Sequence, residues 1–476
     1  MTARAPGAVL ALGAAALAAL LGGVLALLAA KAGPLALVLP GLLVASIALA
    51  FVPKATATIA VVAVAVLEAD PAGFLGGYTA RYYETLPALP VRPHEVLLGI
   101  AAAGVALERS RTRKPVATPG ALTLPLLTLA VAAVCGVVVG RAADASTVDL
   151  LNGLRSVLTL ALVPFLVVNL IETRRELEWV LGAAVAVVAV KTAFGGFAWL
   201  IGAGRVIEGT VLTYYAPLAN LLLLAYVLGV LAARLRGARL PRFVLWLAPF
   251  ALAVLILSFR RNFWIALVLG AVLVLLVAVG ARGRLLLVPA GVLILISLYF
   301  GLTALSGSQS DSPVVQRAQS LTPSKVQGNA QDRYRLDEQH NVRAEIGRHP
   351  VFGIGLGVPW TARYPLAQAL PGGRQYTHVL VFWYWLKLGL LGVFAYLWIM
   401  VAGVRTGLRV WRTDLDPRIQ GAGLGLAAAL VGLAVAETTG SFTGVEPRET
   451  VLLAVMLGWL AAAQRLRTAE AAGAAR

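Results

Sequence analysis

The chain alternates long apolar runs with short polar connections, and most of the connections carry arginine or lysine. A membrane-spanning helix needs about 20 mostly apolar residues. On that criterion the runs predict helices over Ala8–Ala30, Pro34–Val52, Ala55–Leu67, Glu95–Leu107, Ala121–Gly140, Leu150–Ile171, Glu178–Ala203, Val211–Ala233, Phe243–Ser258, Asn262–Gly280, Leu285–Leu305, Val379–Val404, Gly421–Thr438 and Glu449–Gln464. Ala55–Leu67 and Glu95–Leu107 are short for a full crossing and read equally as a broken or re-entrant pair. The expected fold is an all-α integral membrane protein with about 12–14 transmembrane helices. Ala8–Ala30 is long for the apolar core of a cleaved leader, and further apolar runs follow it directly, so it reads as a span.

Composition sharpens this picture. Of 476 residues, 59% are hydrophobic and 13% charged, and the mean hydropathy is +0.85. Soluble domains are nearer half apolar and one-quarter charged, so a cytoplasmic enzyme, a disordered chain and a collagen-like fibre are excluded. The formal net charge is +18. In a membrane protein this reads as topology signal facing membrane lipid, and no nucleic-acid partner is expected. With the N-terminus in the cytoplasm, the inside loops gather Arg109, Arg111, Arg113 and Lys114; Arg234, Arg236, Arg239 and Arg242; and Arg405, Arg409, Arg412 and Arg418. Both termini are therefore expected inside, with the one long connection outside. The lone Cys135 allows no intrachain disulfide and reads as a small core residue.

That long connection divides the chain into an N-terminal helix bundle (1–305), a large extracytoplasmic loop (306–377) and C-terminal transmembrane helices (378–476). Ser306–Gln331 reads as flexible. Asp332–Gly347 sets Tyr334, Leu336, Val342 and Ile346 at helical spacing, which predicts a helix lying on the membrane surface. His340, His349 and His378 fall in or beside this region, and His94 lies in a Pro-rich outside loop. There is no internal repeat.

Several charges need a reason. Arg260 and Arg261, in "LSFRRNFW", sit at an outer boundary where positive charge is disfavoured. Snorkelling is one reading. An anion site gripping phosphate is the preferred one, because intramembrane ionisable groups default to function. Arg155 and Lys191 lie within spans, where pairing with a carboxylate and lining the same cavity are two readings; Arg155, five residues from a boundary, also reads as snorkelling. Lys387, inside "FWYWLKLGLLG", reads as an interfacial anchor, and Glu208 and Glu437 are candidate partners for the arginines. "DLD" at Asp414–Asp416 reads as a solvated loop, and "GIGLG" lacks the βαβ setting of a dinucleotide site. No HExxH, P-loop or CxxC occurs, so neither a dedicated metal site nor a cofactor is expected.

"HPVFGIGLG" at His349–Gly357, followed by "THVLVFWYWLKLGLLGVFAYL" at Thr377–Leu397, resembles the signature region of the O-antigen ligase and O-antigen polymerase superfamily of polytopic membrane glycosyltransferases. In that pattern a His opens a span and G-x-x-G follows; here these are His378 with Gly389 and Gly392. Val379 stands where the family usually has Asn, Ser or Gln, and Val393 where ligases often have Thr. "SFRRNFW" and "GTVLTYYAPLAN" at Gly209–Asn220 resemble two earlier family segments, so the resemblance covers Gly209–Leu397.

The resemblance implies transfer of a glycan from an undecaprenyl-diphosphate-linked donor to a glycan or lipid acceptor hydroxyl, at the outer face of the bacterial cytoplasmic membrane. A departing diphosphate needs cations where charge develops. Arg260 and Arg261 suit this, with Arg333, Arg335 and Arg343 closing from the surface helix and Arg335 preferred among them. His378 is the candidate base. With arginine as the fixed charge no divalent metal is required, and attack opposite the leaving group inverts the anomeric centre. His349, before a proline, reads as a turn residue. The rival reading is a transporter or flippase of the same lipid-linked glycan.

Overall fold

The computed structural model describes residues 46–67, 84–85, 91–200, 217–234, 242–258, 260–278, 330–366, 373–441, 443–444 and 446–474. The expected spans Ala8–Ala30 and Leu285–Leu305, most of Pro34–Val52 and of Ser306–Gln331, and Glu208 lie outside these residues. Among the described residues the regular structure is entirely helical. The helices are α1 (Pro53–Val66), α2 (Pro93–Thr112), α3 (Thr123–Ala142), α4 (Thr147–Leu170), α5 (Arg174–Leu200), α6 (Pro217–Arg234), α7 (Arg242–Leu257), α8 (Arg261–Ala278), α9 (Ala330–Arg348), α10 (Leu380–Thr413), α11 (Pro417–Ala436) and α12 (Pro447–Ala474). Eight of them, α3–α6, α8 and α10–α12, are long and apolar enough to cross a membrane. The protein is a multi-pass, all-α membrane protein. The two short runs become α1, apolar but only 14 residues long, and α2, which carries Arg109 and Arg111 in its last turn.

Contacts divide the chain into two units, Met1–Ala60 with Glu95–Pro115, and Val61–His94 with Val116–Arg476. In the first, Gly104 of α2 lets the backbone of Ala50 approach: a Cβ there would lie 2.2 Å from the Ala50 carbonyl oxygen.

In the second unit α11 is the central helix, packed against α6, α8 and α10. Its sequence, PRIQGAGLGLAAALVGLAVA, is rich in small residues. In lipid, where apolar burial between helices gains little, small residues let backbones approach and dispersion contacts accumulate. α12 runs along α4, and α3 along α10. Asp416 caps α11 by accepting from the Arg418 N–H at 2.8 Å. Asp414 is buried and bonds Arg174 at 2.7 Å, while Arg174 also reaches Glu470 at 2.7 Å. The reading of Asp414–Asp416 as a solvated loop is therefore corrected: the two acids cap one helix and tie the ends of three.

α10 is interrupted at Gly389, with φ 69° and ψ −164°. An uninterrupted helix would bond the Leu390 N–H to the Leu386 carbonyl. Instead Leu390 donates to the Val351 carbonyl at 3.0 Å, and the Leu386 carbonyl accepts from Ile354 at 2.7 Å. The loop His349–Gly357 thus fills both halves of the broken bond, the kind of re-satisfaction that non-helical backbone within a membrane protein requires. Lys387 is buried and donates to the Val358 carbonyl. Its reading as an interfacial anchor is corrected: the ammonium clamps the loop from within.

Candidate functional site

α9 presents a buried face of Tyr334, Glu338, Asn341, Val342, Glu345 and Ile346. The spacing is that of one helical stripe. Val342 and Ile346 pack with Ile354, Trp360 and Leu386, so the helix is seated on the glycine loop and on α10. The helix stops before His349-Pro350, where proline disfavours helical geometry in the preceding residue. Leu336, expected on the packing stripe, is exposed. It falls about 200° round the helix from Tyr334 and 200° from Glu338, so the stripe cannot include it.

His378 stands just before α10. Glu338 holds it twice, through one carboxylate oxygen: Oε2 accepts from the His378 backbone N–H at 3.0 Å and pairs with Nδ1 at 2.9 Å. With Glu338 as a carboxylate and the imidazole neutral, Nδ1 carries the hydrogen and Nε2 keeps its lone pair. The imidazole is 19% exposed, whereas Glu338 is completely buried. Tyr334 lies edge-on to the imidazole with ring centres 6.1 Å apart, and Tyr376 flanks it at 5.5 Å. Burial, reinforced by Glu338 and Tyr376, pushes the Tyr334 phenol well above its usual pKa, so it remains a neutral hydroxyl. The Tyr334 hydroxyl and Glu338 Oε1 are buried without a hydrogen-bond partner among the described residues. Such atoms ask for a water or a ligand.

Arg260 and Arg261 form the turn between α7 and α8, both half-buried. Ser258 Oγ accepts from the Arg260 N–H at 3.4 Å, and Phe263 anchors the turn in the core. Asn262 donates to the Ala436 carbonyl at 3.1 Å. The next carbonyl, Glu437, accepts from Leu380 at 3.1 Å. The arginine turn and the His378 segment therefore dock on adjacent carbonyls at one end of α11. The Glu437 carboxylate is occupied by Tyr396 and Thr443, and Ser441 Oγ donates to the Thr377 carbonyl. Glu437 shapes the connection that supports His378 instead of pairing with an arginine.

On α9, Arg335 is half-buried one turn before Glu338, and Arg333 is exposed. Arg343 is exposed and lies 5.2 Å above the Phe382 ring. His349 is exposed beside Glu345, at 3.9 Å. Elsewhere, Arg155 bonds Asn152, and Lys191, fully buried, donates to the Val66 carbonyl at 3.1 Å. Cys135 is only half-buried. Among the described residues no group of three or more His, Cys, Asp or Glu is placed to hold a metal ion.

Sequence reasoning missed Glu338. The signal was present: Tyr334, Glu338, Val342 and Ile346 repeat at strict four-residue intervals, so one acid shares a stripe with three packing residues.

Residues 244–397 match the family model described as O-Antigen ligase. This supports the resemblance to the O-antigen ligase and polymerase superfamily, and it spans the arginine turn, α9, the glycine loop and His378. The segment Gly209–Asn220 falls before the match. No curated protein matches the chain.

Proposed function

We propose that the protein is a membrane glycosyltransferase that moves a glycan from an undecaprenyl-diphosphate-linked donor to an acceptor hydroxyl on a glycan or lipid. The reaction takes place at the outer face of the bacterial cytoplasmic membrane, with both termini in the cytoplasm. The observation that carries this reading is the grip of Glu338 on His378 within the residues matching the ligase family. An imidazole oriented through Nδ1 is ready to take a proton at Nε2.

In the reaction the acceptor oxygen attacks the anomeric carbon and its proton passes to His378 Nε2. The bond from the anomeric carbon to the diphosphate oxygen breaks, and its electron pair leaves with the diphosphate. Glu338 stabilises the imidazolium so formed. Arg260 and Arg261 meet the charge that develops on the diphosphate, with Arg335, Arg333 and Arg343 approaching from α9. Attack from the face opposite the leaving group inverts the anomeric configuration. The arginines supply the fixed charge, so transfer is expected to survive chelation with EDTA.

The test is incubation of the purified protein with a diphosphate-linked lipid oligosaccharide. Lengthening of the lipid-linked chain identifies a polymerase, and transfer to a second lipid identifies a ligase. Translocation without covalent change identifies a transporter and overturns the proposal. Arg260→Ala and His378→Ala are expected to abolish product while leaving folded protein, and full product from both variants removes the proposed site.

A further inference from the structure

The opposite side of α9 from Glu338 carries a second constellation, whose aromatic rings have no part in the transfer step. Among the described side chains its exposed positions are Arg333, Leu336, His340, Arg343, Gly347 and Arg348, none of them a carboxylate. Beside His340 stands Tyr364, brought there by a segment that folds back from Trp360. Ring centres of His340 and Tyr364 are 4.2 Å apart, with planes inclined at 56°. Tyr364 nevertheless remains 46% exposed.

This exposure is held in place by buried groups. Asn341, fully buried, accepts from the N–H of Arg363 at 2.6 Å and of Tyr364 at 2.8 Å. Its amide donates back to the Tyr364 carbonyl at 3.2 Å and to Asp337 at 2.9 Å. The Arg363 guanidinium adds a bond to Glu345 at 3.3 Å. Asn341 of the packing face thus fixes the backbone of a residue whose own ring is left half in solvent, and Glu345 holds the side chain of its neighbour Arg363. Burial of the ring cannot be the reason, since so much of it stays wet.

We propose that His340 and Tyr364 form a stacking platform for the glycan chain of the substrate, and that anionic sugars bind there in preference to neutral ones; the identity of the ligand as a glycan rests on the transfer reading above. A pyranose ring has an apolar C–H face and a rim of hydroxyls. The Tyr364 ring meets the face, and the phenol and imidazole edges meet the rim. A tyrosine with fixed backbone loses little further freedom on binding, the economy seen in rigid aromatic contact residues. Arg343 one turn on and Arg333 two turns back give the row its charge complementarity to carboxylate-bearing sugars. The platform lies across α9 from the transfer centre at nearly the same height: His340 follows Glu338 by two residues, about 3 Å along the axis of a helix about 10 Å thick. A glycan whose reacting end lies at His378 therefore passes over α9 onto the platform. A lipid surface is the other candidate occupant, but Leu336 is the sole large aliphatic side chain among these exposed positions, and the two rings offer polar edges throughout.

The experiment uses the full chain in lipid nanodiscs, with cellohexaose and hexagalacturonate as probes and dissociation constants from calorimetric titration. Wild type is expected to bind hexagalacturonate more tightly than cellohexaose. Tyr364→Ala and His340→Ala are expected to weaken binding about tenfold, the scale of one aromatic stacking contact. Tyr364→Phe, which keeps the ring, is expected to stay close to wild type. His378→Ala is expected to bind normally while making no product. Absence of binding by wild type, or unchanged binding in both alanine variants, overturns the platform. Hydrogen exchange at residues 333–343 that follows the anionic-lipid content and ignores both sugars also overturns it, in favour of a membrane contact. Product formation by His378→Ala would sink the transfer chemistry alone, leaving the binding result to judge the platform.

Discussion

The segment His349–Gly357 and helix α9 are neighbours in the chain, both lie within the residues that match the ligase family, and they are held in opposite ways. The glycine segment is fixed by backbone. Leu356 donates to the Gly136 carbonyl of α3 at 2.9 Å, and Ile354 to the Leu386 carbonyl of α10 at 2.7 Å. A Cβ on Gly355, whose φ is 89°, would lie 2.2 Å from the Gly140 nitrogen. α9 is fixed by side chains: apolar ones seat it, and Glu338, Asn341 and Glu345 reach across to His378, Tyr364 and Arg363. A family signature can therefore mix two kinds of residue. Gly355 and Gly389 make room for backbone, while Glu338 and His378 form a side-chain pair.

Substitutions can break this contrast or sharpen it. The largest effect is expected from Gly355→Ala or Gly389→Ala. Each adds a Cβ at positive φ against backbone, 2.0 Å from the Val351 carbonyl oxygen in the case of Gly389. Strain and overpacking together cost about 4 kcal/mol, read as loss of monodisperse protein on size exclusion or a steep fall in melting temperature. A variant that folds normally would mean the loop is not threaded as described.

Next comes Glu338→Gln. Transfer is expected to fall about 10²-fold or more, since an amide no longer stabilises the imidazolium, while the melting temperature moves far less than for Gly355→Ala. If activity and melting temperature fall in proportion, Glu338 is merely structural.

Lys387→Met removes the donor to the Val358 carbonyl. A buried carbonyl left unpaired costs about 1–3 kcal/mol, measurable by thermal melting. Smallest is Leu336→Gln on the exposed side of α9, expected to change stability by less than about 0.5 kcal/mol. A large loss there would put Leu336 back on a packing face.

The apolar runs alone predicted an all-helical membrane protein, because a lipid interior leaves an isolated chain few ways to satisfy its backbone. They also located α3, α4, α8 and α11 to within a few residues. α9 was legible as a helix from its spacing, but its face was misjudged at Leu336, since four apolar residues in sixteen do not fix a stripe uniquely. Lys387 and Asp414 were misread for a shared reason. Each is a charge flanked by ordinary local sequence, and its partner, Val358 or Arg174, lies far away in the chain.

By itself, then, the sequence determined the class of solvent, the helical periodicity and the residue types able to grip a phosphate or move a proton. These follow from composition and short-range spacing. Only the tertiary structure decided that Glu338 meets His378, that a broken helix at Gly389 receives the glycine loop, and that the arginine turn and the histidine segment share one end of α11. Such pairings join residues remote in the chain, and their directional hydrogen bonds exist only once packing has brought donor and acceptor within about 3 Å.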